Sequence, residues 1–247
     1  MIIDNPEKAH IPALRRLWQQ AFGDSDEFLD RFFAAGFSYD RCRCVFLDGQ
    51  PVAAHYLFDC LWQGEKVCYL YALAVEKSHR GKGYSRLLMT DTQAKLTLAG
   101  YAGIVLEPAD DQLRAYYRRL GYRDFGGRNV LTVPAGSTAV RLKQLGQLGY
   151  QQARRKHLPA GGILQEGPMT AFLQTQAVCY GGEDFVAAVS GGMLIEYLGN
   201  REKLPGLVKA LDLEEAQVRV PGDQPAAMYL SLTREQTLPA YFGIPMD

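Results

Sequence analysis

The stretch that most constrains this chain lies between Val67 and Tyr84. An apolar strand ending at Val75 passes through Ser78-His79-Arg80-Gly81-Lys82-Gly83 into a helix whose Tyr84, Leu87, Leu88, Ala94 and Leu98 share one side. Backbone N–H groups at a helix N-terminus lack intrahelical partners and carry about half a positive charge together, so a glycine-rich entry there can wrap a phosphate closely. Arg80 and Lys82 add charge, and Arg80 can donate in bidentate fashion. The stretch is not a dinucleotide fingerprint, because Arg86 stands where the third glycine belongs, and it is not a Walker loop, because GxxxxGK[ST] is absent. On these residues alone a plain strand-to-helix turn is the simpler account.

The flanking pattern supplies the context. Ile11, Leu14, Leu17, Trp18 and Phe22 follow helical spacing up to Gly23, and a second helix capped by Asp24 or Ser25 aligns Phe28, Phe32 and Phe33. The period then shortens. Residues 42–48, 52–62 and 67–75 read as strands joined by Asp48-Gly49 and Gln63-Gly64-Glu65, an antiparallel meander. After the glycine-rich helix, which stops at Gly100, come a strand at 103–107, a helix at 110–120 closed by Gly121, and a strand-like run at 122–133 interrupted at Gly126-Gly127. Pro134-Ala135-Gly136-Ser137 marks a boundary between domains at 1–135 and 136–247. Beyond it the pattern predicts helices at 138–157 and 167–179, strands at 185–190 and 193–198, a helix at 202–211, and closing strands at 218–220 and 228–232.

Composition excludes several classes. At 247 residues, 47% hydrophobic and 22% charged, the chain can bury a core and is not intrinsically disordered. Lys and Arg number 17 against 16 Asp and Glu through residue 135, and 10 against 11 beyond, so no basic face for nucleic acid is expected. No apolar run approaches the ~20 residues that span a bilayer, and the N-terminus builds no signal-peptide core, so a cytoplasmic protein without membrane contact is expected. Five scattered cysteines, Cys42, Cys44, Cys60, Cys68 and Cys179, lack CxxC spacing; neither a disulfide framework nor a metal site is expected.

Tyr117-Arg118-Arg119-Leu120-Gly121-Tyr122 completes a second motif some thirty residues after the glycine-rich turn. Taken together, strand, glycine-rich turn, helix, strand, and a helix ending in Y-x-x-x-G-[FY] resemble the GNAT superfamily, the acetyl-CoA-dependent N-acetyltransferases. The order of elements over roughly residues 1–133 fits as well, including two aromatic-rich helices before the meander. The resemblance implies an α+β fold, a central and mostly antiparallel sheet flanked by helices, with a smaller GNAT-like α+β domain after it.

It also implies the roles of particular residues. Leu73, Ala74 and Val75 would offer backbone groups to the pantetheine arm where two strands splay apart. Arg80, Gly81, Lys82, Gly83, Tyr84 and Ser85 would hold the pyrophosphate of acetyl-CoA, chiefly through amides. Tyr117 would sit near the thioester sulfur, its phenol protonated at neutral pH and able to give a proton to the departing thiolate. Two positions depart from the family pattern: Ser78 stands at the usual Arg or Gln of the loop, and Asp110 stands where an Asn often opens the last helix. For the base that frees the acceptor amine, Glu76, Glu107 and Asp59 are candidates, with His55 a mid-strand alternative. Asp24, Asp26, Glu27 and Asp30 would suit a cationic amine on the acceptor side, and they equally suit a helix N-terminus.

The region after Thr138 resembles, more faintly, the later part of two-module GNAT proteins of the enhanced-intracellular-survival type. Gly191-Gly192-Met193-Leu194-Ile195-Glu196-Tyr197 and Val218-Arg219-Val220 match that module, while neither signature motif recurs, so this half is expected to be non-catalytic. Its end, Pro239-Ala240-Tyr241-Phe242-Gly243-Ile244-Pro245-Met246-Asp247, is apolar for a free tail and should be docked. In those related enzymes the chain end reaches the active cleft, which implies Asp247 as a base by side chain or α-carboxylate. The partner expected is a primary amine of a small molecule or peptide; self-association into a homo-oligomer stays open. An acyl-CoA-binding module without transfer, and a purely structural protein, are the alternatives.

Overall fold

The computed structural model describes residues 1–234 and 237–244. The fold is mixed α+β, and the chain divides into two compact units. The first comprises Met1–Cys60, Glu65–Leu106 and Leu230–Gln236; the second comprises Leu61–Gly64, Glu107–Tyr229 and Thr237–Asp247.

In the first unit, β1 (Ile2–Asp4) precedes α1 (Ile11–Phe22) and α2 (Asp26–Ala35). Then follow β2 (Cys42–Leu47), β3 (Gln50–Trp62), β4 (Glu65–Val75), α3 (Tyr84–Leu98) and β5 (Gly103–Leu106). The strands lie in chain order, with β1 and β3 both antiparallel to β2, and β5 parallel to β4. The meander is tight because Asp48-Gly49 and Gln63-Gly64 all take positive φ, the twist that two-residue hairpins need. The helix pair begins where the residues say it should. The Ser25 hydroxyl accepts from Phe28 N–H at 3.2 Å, and Asp26 and Glu27 occupy the positive first turn.

Period-two alternation along β3 sorts its side chains between two layers. Tyr56 faces the α1–α2 pair, where its ring lies 4.9 Å from Trp18 and 4.9 Å from Phe32. Trp18 also lies 4.6 Å from Phe32 and 5.5 Å from Tyr71. Each such ring pair is worth about 0.5–1.5 kcal/mol beyond its area burial. His55 faces the other way, where its Nε2 lies 2.8 Å from Thr92 Oγ1 on α3. Leu88 of α3 packs on Val45, Val52 and Ala53, all buried. Arg43, 3% exposed, ties α3 to the N-terminal strand by bonds to Asp91 at 2.6 Å and the Ile3 carbonyl at 3.2 Å.

In the second unit the elements are α4 (Asp111–Arg119), β6 (Arg123–Pro134), β7 (Lys143–Gln144), α5 (Gln147–His157), β8 (Leu164–Gln165) and α6 (Pro168–Leu173). They continue with β9 (Val178–Gly181), β10 (Phe185–Ser190), β11 (Met193–Gly199), α7 (Leu204–Ala210) and β12 (Glu215–Ser231). Along the sheet, β12 is followed by β11, β10, β9 and β7, with β6 antiparallel to β12 and β11 parallel to it. Leu194, Tyr197, Leu204, Leu207, Val208, Val218 and Val220 form its buried core.

Three expectations change here. The helix expected at 138–157 begins only at Gln147, because Lys143-Gln144 pairs with Tyr180 and Gly181, and Val140 N–H donates to Gly206 C=O at 3.1 Å. The helix expected at 167–179 stops at Leu173, and Val178 already belongs to β9. The two closing strands are one, Glu215–Ser231, whose pairing with β6 shifts register between Pro221 and Pro225; prolines withhold ladder donors there, so the run looks broken in sequence. Of the apolar segment 239–247, the described part is tied down: Ile163 N–H donates to Tyr241 C=O at 2.8 Å, and Ala240 N–H to Gly161 C=O at 2.8 Å, while residues 245–247 lie outside the described residues. All five cysteines are buried and unbridged. No helix among the described residues is long and apolar enough to cross a membrane.

Burial of His55 makes the first unit acid-sensitive. Desolvation, helped by nearby Arg43, pushes its imidazole down to about 3. Its Nδ1 has no partner among the described residues. The unfolded chain therefore binds the proton more tightly at any pH from about 6.5 down to 3, and stability falls over that window by about 1.4 kcal/mol per unit. Urea unfolding should lose about 2 kcal/mol between pH 7 and pH 5 through this residue. His55→Gln should flatten that part of the profile; an identical slope in the variant would refute the assignment.

Candidate active site

The site residues on the first unit begin inside β4. Ala72 takes φ 51, a left-handed conformation that an L residue adopts in a strand only at a kink. The register with β5 runs from Val67 opposite Gly103 to Tyr69 opposite Val105, and residues 72–75 continue past it. Leu73, Ala74 and Val75 thus lie beyond a local distortion, on strand that has outrun this partner. The Val75 carbonyl accepts from Arg80 Nε at 3.1 Å, so Arg80 is turned back onto the strand it follows.

The turn itself is built on backbone conformation. Gly81 and Gly83 take φ 76 and 83, and Gly83 is the N-cap of α3, where no side chain caps the helix. A Cβ on Gly83 would meet nothing within 4 Å, so the glycine serves φ rather than space. Arg80, Gly81, Lys82 and Gly83 are exposed; Tyr84 and Ser85 are half-buried at the start of the helix. A helix of fifteen residues with an uncapped, glycine-led, solvent-facing N-terminus can accept a phosphate on its amides.

Ser78, at the position of the missing Arg or Gln, lies 2.9 Å by its Oγ from His79 Nδ1. The same nitrogen lies 2.8 Å from Glu76 Oε2. The contact of His79 with Ser78 and Glu76 was not expected from the sequence, where a histidine three residues after a glutamate was the only signal.

The remaining carboxylates are engaged locally. Asp59 accepts from Tyr101 OH at 2.6 Å and from Arg41 at 2.6 Å. Burial, and then the hydrogen bond to Asp59, push the Tyr101 phenol up to about 12. Asp24 takes the Trp18 indole N–H at 2.7 Å, while Asp26 and Asp30 flank Arg15 at 3.0 and 2.7 Å, and Glu27 pairs with Arg31. The acids around α2 therefore belong to the α1–α2 pair. His55 lies in the interior and faces no solvent.

On the second unit, Tyr117 is buried in the last turn of α4. Its carbonyl accepts from Leu120 N–H at 2.9 Å and from Tyr122 N–H at 3.1 Å, the closure that a left-handed Gly121 (φ 91) permits. The Y-x-x-x-G-Y pattern is thus also a helix stop, with the Tyr117 and Tyr122 rings 5.7 Å apart. Burial, with a smaller contribution from Tyr116, pushes the Tyr117 phenol well above its usual range, so it stays protonated across neutral pH. Asp110 caps the same helix by accepting from Leu113 N–H at 2.7 Å, which is why an acid is tolerated there. Burial pushes Asp124 up, but hydrogen bonds from Arg118 and Arg114 outweigh it and hold this carboxyl below its ordinary value. Glu107 is clasped by Arg128 at 2.5 and 3.3 Å. Asp247 lies outside the described residues.

Residues 11–122 match the model of the acetyltransferase (GNAT) family. No curated protein matches the sequence. Among solved structures, the chain is similar to a GCN5-related N-acetyltransferase from Anabaena variabilis, at 13% identity and TM-score 0.73 over 94% of this chain and 73% of that one. A GCN5-related N-acetyltransferase from Kribbella flavida aligns at 17% identity and TM-score 0.72 over 94% and 72%. Eis1 from Mycobacterium abscessus aligns at 10% identity and TM-score 0.69 over 94% and 74%. At these identities the likeness is one of fold.

Gly83→Ala separates strain from function. Gly83 and Gly100 share a positive φ with open space around the missing Cβ, so either substitution should lower the unfolding free energy by about 1–2 kcal/mol, read from urea unfolding. Only Gly83→Ala should also weaken binding of inorganic pyrophosphate in calorimetric titration. Equal binding by the two variants would remove the turn as an anion site.

Proposed function

We propose, from the premise that residues 11–122 of this chain are a GNAT acetyltransferase domain, that the protein transfers an acetyl group from acetyl-CoA to a primary amine of a small molecule or peptide. The observation that carries this reading is the uncapped N-terminus of α3 behind Arg80-Gly81-Lys82-Gly83, entered from a strand kinked at Ala72. Backbone amides of residues 81–85 would bind the pyrophosphate, with Lys82 as a point charge and Arg80 swinging away from the Val75 carbonyl. The backbone of Leu73, Ala74 and Val75 would take the pantetheine amides as an added strand does.

The reaction needs one net proton transfer. The amine must be neutral to attack; its lone pair then forms the C–N bond at the thioester carbonyl, the C–S bond breaks, and a proton travels from nitrogen to sulfur. Tyr117 would donate to the departing thiolate and recover its proton from the nitrogen. A phenol pushed upward by burial suits donation of a hydrogen bond that strengthens as charge builds on sulfur. Asp247, by side chain or α-carboxylate, would take the proton from the incoming ammonium. Residues 136–247 would form a degenerate GNAT-like domain.

A second reading has support of its own. Glu76, Asp59 and Glu107 each sit in a hydrogen-bonded pair, as a binding module without a working base would also show. Acetyl-CoA at a hundred times its Kd should stabilise either protein by about 2.7 kcal/mol, seen as a raised melting temperature. Acetyl-CoA consumption over a panel of spermidine, tryptamine, an aminoglycoside and a lysine peptide then separates them. Binding without transfer favours the module, and no binding removes both.

Within the transferase reading, Tyr117→Phe should lower kcat by about 10²–10⁴ and leave acetyl-CoA affinity nearly unchanged. A variant at full kcat would take Tyr117 out of the chemistry. Deleting Met246 and Asp247 should likewise abolish turnover while sparing acetyl-CoA binding.

A further inference from the structure

The second unit holds a cavity of about 590 Å³ that the transfer reading does not use. It forms where residues 138–146 leave the helical path that their composition suggests. Val140 N–H donates to Gly206 C=O at 3.1 Å and Leu145 N–H to Cys179 C=O at 2.8 Å, so the segment is tethered at both ends, to α7 and to β9. This segment and the turn between β9 and β10 line the cavity. Glycines leave room for the lining: a Cβ on Gly181 would stand 2.8 Å from Leu145 Cδ1, and one on Gly182 would stand 2.2 Å from the Phe185 ring.

The apolar part of the lining is Leu142, Leu145 and Phe185. Phe185 is 2% exposed and stacks on Tyr197 with ring centroids 5.6 Å apart, so this wall is in place before any ligand arrives. Charges of both signs stand around it. Arg141 and Lys143 come from the tethered segment and Lys203 from just before α7, while Glu183 and Asp184 come from the turn. All five are exposed, and among the described residues none of them joins an ion pair. Lys156 Nζ donates to the Glu183 carbonyl at 3.2 Å and steadies the turn. Small-molecule sites commonly measure about 300–1,000 Å³ and combine an apolar wall with a few charged groups that fix orientation. Opposite charges that face one cavity without pairing with each other can both be met by a guest that itself carries both.

We propose that this cavity binds a small zwitterion with an apolar body: an apolar amino acid, or a short apolar peptide with both ends free. The guest's carboxylate faces Arg141, whose guanidinium suits it in bidentate fashion, with Lys143 and Lys203 adding charge. Its ammonium faces Glu183 and Asp184, and its side chains lie on Leu142, Leu145 and Phe185. A simple anion would meet the two acids as like charges, and a simple cation would meet the three basic groups in the same way. The inference shares no residue with the candidate active site and holds whether or not the protein transfers acetyl groups.

The test is calorimetric titration of the full chain, without acetyl-CoA, using phenylalanine and leucyl-phenylalanine, each also as its N-acetyl derivative and its C-terminal amide. At least one zwitterion should saturate with a Kd at or below about 1 mM, and the tighter of the two identifies the source as amino acid or peptide. Blocking either end should weaken binding at least about threefold. Arg141→Gln should weaken the zwitterion by a similar factor and leave the amide unchanged, because the amide has no carboxylate to lose. Glu183→Gln combined with Asp184→Asn should weaken the zwitterion and leave the N-acetyl derivative unchanged. These side chains are exposed, so the variants should keep the wild-type melting temperature. No saturable heat from either zwitterion overturns the inference. So does a blocked derivative that binds as tightly as its parent, since the site then reads one charge only. An equal loss for amide and zwitterion in Arg141→Gln overturns it as well, as does a zwitterion heat that survives all three substitutions together, since that binding lies elsewhere in the molecule.

Discussion

The amides at the start of α3 are the constraint around which the candidate site is arranged. A helix start needs partners for its first N–H groups, and α2 and α4 find side-chain oxygens from Ser25 and Asp110. The longest helix among the described residues, α3, has a glycine in the left-handed region instead. Leaving such a terminus facing water costs little, because water satisfies it; leaving it uncapped also keeps its partial charge available to an anion. The kink at Ala72 belongs to the same arrangement, since strand residues that outrun a neighbour keep backbone groups that a ligand can take. A lone glycine-rich turn is ambiguous, and a glycine-rich turn entered from a distorted strand is much less so.

Chemistry that depends on local order was legible in the residues. The hairpin turns at Asp48-Gly49 and Gln63-Gly64, the helix ends at Gly23 and Gly121, and the change of period at Cys42 all placed elements to within a residue or two. Where the pattern misled, distant partners had decided. Residues 138–146 have helical composition but lie against α7 and β9, and those bonds outweigh weak intrinsic propensity. β12 reads as two strands because Pro221 and Pro225 fall at its register shift, a position that tolerates missing donors.

The same limit applies to the site. Glycines and the tyrosine motif could be read because their roles follow from backbone geometry, which repeats. The partner of each carboxylate could not, because Arg41 meets Asp59 across 18 positions, Arg128 meets Glu107 across 21, and Arg154 meets Glu196 across 42. An acid beside a helix start looks alike in sequence whether it waits for a cationic substrate or holds Arg15.

Zero net charge takes on a sharper meaning in this light. Many acids are matched to particular basic or donor groups, so balance arises from specific pairs as well as from even mixing. A cofactor bearing several phosphate charges then gains little from a general field, and a local site must supply the attraction. Arg80 and Lys82 stand exposed on the turn, in no salt bridge among the described residues, while Arg80 bonds a neutral carbonyl. Giving up a neutral acceptor for a phosphate is an exchange that favours the charged partner, because a charge-assisted bond is roughly twice as strong as a neutral one. Under the proposed function, Arg80 on Val75 would be a resting contact whose release frees a carbonyl for a pantetheine amide. One side-chain movement would serve both ends of the cofactor.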